Sequence, residues 1–262
     1  MSGDGVQRAH DPAGLARLYQ RLRRPPTAHT VAGALPVLFF GDLFTAEIAT
    51  VGLNPSDHEY VDQRGIELTG GQRRFETLTS LGAASRMTLT DDQCARAIET
   101  MRSYYQREER VYSWFRGLFR VIEAMGYTYR AGQVAHLEVV QEATRPAWAE
   151  LERMAPLETK TLFAADREFL RWQLRNFAPR AVVCNGRTVF DEVRGIVERG
   201  RIVNSGELAR LTWYVGLGHV DGQPIGLAGW NLPLARATGL GAEGERDLGR
   251  LLASELRRIG GL

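Results

Sequence analysis

The chain has 262 residues, 44% of them hydrophobic and 24% charged, which supplies one sizeable core and argues against wholesale disorder. Thirty-three basic residues against thirty-one acidic ones leave a formal net charge of +2, so no global basic field points to nucleic acid and any such partner must be met by a local patch. Two cysteines, Cys94 and Cys184, far apart and outside any Cys-x-x-Cys spacing, exclude a disulfide framework and a cysteine-rich metal site.

Lys160 is the only lysine, so arginine fills the other basic positions. A GC-rich coding sequence produces such a bias, and arginine forks also suit phosphates. Free thiols, a polar start and no apolar run near the roughly 20 residues of a membrane span point to a cytoplasmic protein without a membrane partner.

Residues 1–11 read as a disordered lead-in, and 12–262 as a single domain with a helical insertion around 90–126. Leu15, Leu18, Tyr19 and Leu22 share a face at helical spacing, which predicts a helix over 12–24 ended by Pro25-Pro26. Its Arg21, Arg23 and Arg24 read as a solvated helix end. Leu35–Phe40 reads as a strand with Gly41-Asp42 as its turn. Ala46–Val51 reads as another, short and apolar as in a sheet covered on both faces.

Residues 57–89 are irregular, with a short helix near 73–81; a long irregular segment after a core strand is more often functional than idle. Helices are predicted at about 91–107 and 113–125, strands at Gln133–Val140 and Ala181–Cys184, and a helix from about 188. Leu211–Leu217 reads as a further strand and 218–235 as a loop. A last helix over about 243–259 carries Leu248, Leu251, Leu252, Leu256 and Ile259 as its stripe.

Strands separated by helices predict an α/β fold, a three-layer αβα sandwich around a four-stranded, mainly parallel sheet. Such sheets bind ligands at the carboxyl ends of their strands. The loops at 52–75, 138–148, 185–188 and 217–232 are therefore expected to gather on one edge.

Ala46–Val51 runs straight into Gly52-Leu53-Asn54-Pro55-Ser56. The glycine permits a tight exit, the asparagine offers a donor and an acceptor, and the proline stiffens the turn. Alone, an Asn-Pro turn is a common loop dipeptide. At the end of a buried strand, Gly-Leu-Asn-Pro-Ser resembles the first motif of the uracil-DNA glycosylase superfamily. It is most similar to the Gly-Ile-Asn-Pro-Gly form of the mismatch-specific uracil and thymine glycosylases. The resemblance covers about residues 46–258 in architecture but only short segments in motif.

The resemblance implies a four-stranded parallel sheet between helices, DNA as partner, and neither metal nor organic cofactor. Asn54 matches the asparagine that positions the attacking water, and Phe75 is the candidate for the aromatic that stacks on the flipped base. His136 and Glu138 stand where the base-reading residue is expected, and His219 follows the last predicted strand, where the family keeps a histidine. The stretch from His219 to Gly229-Trp230-Asn231-Leu232-Pro233 lacks the family's His-Pro-Ser-Pro pattern. Ser56 stands where family-one uracil enzymes place a tyrosine that excludes C5-substituted bases. It implies a pocket open to larger bases, including a bulky C5-modified cytosine of phage DNA.

The expected site then has Asn54, Glu138 and His219 as catalytic groups, with Gly52, Ser56, Phe75 and His136 against the base. Arg73, Arg74, Arg187, Trp230 and Asn231 would meet DNA. Glu138 would accept from an exocyclic amine or activate water; alternatively, His136 and Glu138 are a satisfied strand-end pair. Arg187 opens a helix whose amino end suits a phosphate. Trp230 or Leu232 would intercalate, and Tyr104, Tyr105, Tyr112, Trp114 and Phe115 read mostly as core.

The activity so implied is a DNA N-glycosylase serving repair or phage defence, monomeric and without an obligate protein partner. Two other readings stay open: an inert DNA- or nucleotide-binding module of the same fold, and a hydrolase of free nucleosides or nucleotides.

Overall fold

Short apolar segments build the centre of the sheet in this computed structural model, which describes residues 12–237 and 239–262. The lead-in expected at 1–11 lies outside the described residues. In chain order the elements are α1 (Pro12–Leu22), β1 (Ile48–Gly52), α2 (Leu78–Leu81), α3 (Asp91–Arg102), α4 (Arg116–Met125), β2 (Val134–Glu138), α5 (Trp148–Met154), α6 (Pro156–Phe177), β3 (Ala181–Asn185), α7 (Arg187–Ile196), β4 (Glu198–Leu208), β5 (Leu211–Val220), β6 (Gln223–Trp230) and α8 (Gly241–Arg258).

The α/β class is as expected, but the sheet is larger and mixed. Its six strands run in the order β2-β1-β3-β6-β5-β4. β2, β1, β3 and β6 are parallel, while β5 and β4 add an antiparallel hairpin extension. Every residue of β1, β2 and β3 is buried, as required of strands covered on both faces. The two faces can be read from β6. A Cβ at Gly226 would strike the Gly261 backbone beyond α8, and one at Gly229 would strike Phe190 of α7. Positions three apart on a strand face opposite ways, so α7 and the end of α8 cover opposite faces.

The fourth parallel strand is β6, in the stretch expected to be a loop, and the strand expected at 211–217 is β5, which runs the other way. Asp221 and Gly222, both at positive φ (49° and 77°), make the two-residue turn between them. An Asp-Gly pair is a strong hairpin signal because both central residues of that turn need positive φ.

Leu35–Phe40 is not a strand. Phe40 makes a single antiparallel bridge with His136, at 2.8 and 2.9 Å, before the segment leaves the sheet. Pro36 has no N–H to give a ladder. The helix expected near 73–81 shrinks to α2, and the one over 91–107 stops at Arg102. The longest helix, α6, was not anticipated. Its buried face runs through Thr159, Leu162, Asp166, Phe169, Leu170, Gln173 and Leu174, and three polar residues break the apolar stripe that would announce it.

Asp166 explains why Arg21 is not a solvated helix end. Arg21 is 6% exposed and pairs with Asp166 at 2.9 Å and Glu142 at 3.2 Å. Arg86, 1% exposed, grips both oxygens of Glu142 at 3.0 Å and also donates to the Ala34 carbonyl. The two arginines hold the Glu142 carboxyl below the usual range despite its burial. A buried charge left unpaired is strongly destabilising, so this cluster fixes the segment after β2 against α1 and α6.

Candidate functional site

The carboxyl ends of β1, β2, β3 and β6 meet in a cleft of about 900 Å³. Its lining comes from Leu53–Asp57 after β1, Glu138 and Thr144 from β2 and the loop beyond it, Asn185–Val189 after β3, and Asn231, Pro233, Ala235 and Arg236 after β6. Trp148, Lys160, Phe163 and Arg167 of α5 and α6 close one side, and Tyr112, Trp114 and Phe115 another.

Asn54 sits on this lining with its amide fixed. Its Nδ2 donates to the carbonyls of Pro55 (3.2 Å) and Glu142 (3.4 Å) and to Thr144 Oγ1 (3.3 Å). Carbonyls only accept, so these bonds settle which end of the amide is nitrogen. Oδ1 makes no hydrogen bond to another described residue and remains an acceptor on the cleft. The ion-paired Glu142 supplies one of the fixing carbonyls, which ties the Asn54 amide to the buried Arg21–Arg86–Asp166 cluster.

Glu138 lies in the floor, 3% exposed. One carboxyl oxygen meets His136 Nε2 at 3.1 Å, and the other, Oε2, is buried without a hydrogen-bond partner. His136 Nδ1 meets Thr50 Oγ1 at 2.8 Å, and Thr50 meets the Tyr129 hydroxyl at 2.9 Å. The rings of Phe40, Trp114 and Phe115 surround His136 at 5.0 to 5.5 Å, so it lies behind the lining that these rings and Glu138 form. Burial pushes the Glu138 carboxyl above the usual range, partly offset by His136.

Gly52 makes room for this pair. A Cβ there would collide with Glu138 Oε2 and stand 3.0 Å from His136 Nε2.

A second buried carboxyl, Glu59, also lines the cleft and was not anticipated. It is 2% exposed, and the Tyr104 hydroxyl lies 3.0 Å from both its oxygens. Burial pushes it up to about 8, against the pull of Arg74 and Tyr104 and with a small push from Glu138. Only the chain's return at the turn Asp57–Glu59, capped by Ser56 Oγ on His58 N at 3.2 Å, brings it in. Ser56 is thus both turn cap and lining residue.

Several expected site residues lie elsewhere. Phe75 is 1% exposed and stacks on Tyr104 at 5.1 Å, behind the cleft rather than on it. Its place on the lining is taken by Tyr112 and Trp114, both half-buried. Trp230 is fully buried, with Nε1 donating to Asn185 Oδ1 at 3.1 Å, so it cannot intercalate as placed. Leu232, two residues on, is 43% exposed.

His219 pairs with Pro224 at the start of β6. Because β5 is antiparallel, His219 lies at the opposite edge of the sheet, six residues or about 20 Å down β6 from Trp230. Arg73 and Arg74 do not line the cleft. Arg74 donates to the His58 and Arg110 carbonyls and stacks over Tyr112 at 5.4 Å, while Arg73 faces Glu76 at 3.8 Å. Arg187 does line the cleft, paired with Asp191 at 2.6 Å and stacked over Tyr214. Asn231 also lines it, although its side chain is engaged with Thr212.

The cleft therefore brings together an amide fixed through its nitrogen, a buried glutamate whose Oε2 has no hydrogen-bond partner, and two aromatic side chains. Among the described residues no group of three or more His, Cys, Asp or Glu is placed to hold a metal ion, and no helix is long and apolar enough to cross a membrane. No protein-family model matches the chain, and no curated protein is significantly similar to it.

Proposed function

We propose that the chain is a DNA base N-glycosylase of uracil-DNA glycosylase type, which hydrolyses the bond between the sugar and a flipped-out uracil or a larger modified base. One observation carries the reading. Asn54, whose Oδ1 stays free while its amide nitrogen is fixed by three hydrogen bonds, lines the same cleft as Glu138, whose Oε2 is buried beneath it without a hydrogen-bond partner.

Glycosidic cleavage needs a water held against an oxocarbenium-like sugar and help for the departing base. Asn54 Oδ1 orients the water, and the Glu138 carboxyl takes its proton or meets the base edge. Much of the acceleration comes from positioning and electrostatics. Extruding the nucleotide costs a few kcal/mol, offset by stacking on Trp114 or Tyr112 and by Leu232 filling the gap in the duplex. A cleft of about 900 Å³ suits a base larger than uracil, in keeping with serine at position 56. Two buried free thiols suit a reducing compartment such as the cytoplasm.

The test is incubation with single- and double-stranded DNA containing uracil, common lesions or bulky C5-modified cytosines, with abasic sites as readout. Asn54→Ala is expected to lower the yield by roughly a hundredfold, the scale for one lost positioned polar group. If no substrate gives abasic sites while duplex binding persists, the chain is an inert DNA-binding module.

A further inference from the structure

The one lysine of the chain lies on the wall of this cleft, at the first turns of α6. Arginine occupies every other basic position, including Arg167 and Arg187 on the same lining, which are paired with Glu192 and Asp191. Lys160 is exposed and forms no ion pair or hydrogen bond with another described residue. A guanidinium stays protonated and is no nucleophile; a primary amine on a flexible stem forms Schiff bases with carbonyls. The cleft thus holds the chain's only side-chain amine, unengaged, in the chamber that also contains Asn54 and Glu138.

We propose that Lys160 gives the cleft a second activity, strand cleavage at an abasic site through an imine between its Nζ and C1′ of the sugar. The proposal rests on the DNA-glycosylase reading, because loss of a base leaves the carbonyl it needs. The abasic sugar opens to an aldehyde at C1′. The amine adds to that carbon and one water leaves, giving the imine. A base removes a C2′ proton, for which the carboxylate of Glu152 on the same lining is available. The C–H electron pair forms the C2′–C3′ double bond, and the C3′–O bond breaks with its pair leaving on the phosphate. Addition of water to C1′ releases the unsaturated aldehyde and restores the amine. No oxidant, reductant or metal enters the balance.

The experiment supplies duplex DNA with a preformed abasic site, so its outcome does not depend on whether the protein removes a base. Sodium borohydride, which reduces an imine to a stable amine, is added with the wild-type chain and with Lys160→Arg. Arginine keeps the charge at an exposed helical position and leaves no side-chain amine in the protein. The expected result is a covalent protein–DNA adduct with the wild type, mapped to the peptide containing Lys160, and none in the variant. Without borohydride, strand cleavage above the protein-free rate should fall at least tenfold. Absence of a wild-type adduct, or equal trapping and cleavage by Lys160→Arg, overturns the proposal. Adduct formation without any base excision in the substrate panel would retain the amine chemistry and remove the glycosylase reading.

Discussion

Replacing Glu59 by glutamine isolates the cost of holding a carboxylate in the floor of the cleft. The side chain is 2% exposed, and burial pushes its carboxyl from an ordinary 4.5 up to about 8. At about 1.4 kcal/mol for each tenfold change in proton affinity, the ionised folded protein is about 5 kcal/mol less stable than the protonated one. The folded state binds this proton more tightly than the unfolded chain, so it carries more protons between about pH 4.5 and 8. Stability from this group is therefore full at low pH and is lost as pH rises through that window.

Glutamine has no proton to lose, and its amide oxygen still accepts from the Tyr104 hydroxyl. Wild type and Glu59→Gln should agree within about 1 kcal/mol at pH 5. The variant should be more stable by about 3 kcal/mol at pH 7 and nearly 5 kcal/mol at pH 9. Urea unfolding at the three pH values, followed by tryptophan fluorescence and far-UV circular dichroism, measures the difference while shared groups cancel. A difference that stays constant from pH 5 to pH 9 would refute the reasoning.

Other expectations follow from single contacts. Gly52→Ala places a methyl against Glu138 Oε2 and His136 Nε2 and should cost about 1–3 kcal/mol as overpacking, with a larger loss in any abasic-site assay than in thermal stability. Arg86→Met leaves Glu142 short of its bidentate partner. Its expected cost of about 3–5 kcal/mol should shrink when Glu142→Gln is added, as a double-mutant cycle in denaturant would show. Trp230→Ala should destabilise by about 3–5 kcal/mol as a buried large-to-small change. Leu232→Ala should change stability by less than about 0.5 kcal/mol yet weaken duplex binding in a fluorescence titration. Equal stability effects of the two would reverse the assignment of the exposed wedge.

Much of the site's first wall was legible from the chain. The run into Gly52-Leu53-Asn54-Pro55-Ser56 is short, mostly apolar and ended by turn-forming residues, and it holds the buried strand β1 with its loop on the cleft. Glu138 and His136 alternate on a strand and do meet. The second wall was hidden for specific reasons. α6 carries Thr159, Asp166 and Gln173 on its buried face, where Asp166 is satisfied by Arg21, 145 residues earlier. Phe75 follows two arginines and reads as the stacking aromatic, whereas Trp114 stands among other aromatics and reads as core; packing reverses them, with Phe75 behind Tyr104 and Trp114 on the lining.

The sequence alone determined the α/β class, a buried strand within 46–51 and the placement of Asn54 at a strand's carboxyl end. Those depend on local periodicity and turn chemistry, which neighbouring residues carry. Tertiary structure decided which strand is the fourth parallel one, and with it which edge His219 and Asn231 occupy. Strand direction depends on a partner chosen by pairing, and no local pattern records it. Tertiary structure also decided that Glu59 and Lys160, 101 positions apart in the chain, line one cleft. That cleft exists only where the loops after four strands, the helices α5 and α6 and the aromatic turn at 112–115, distant in sequence, converge.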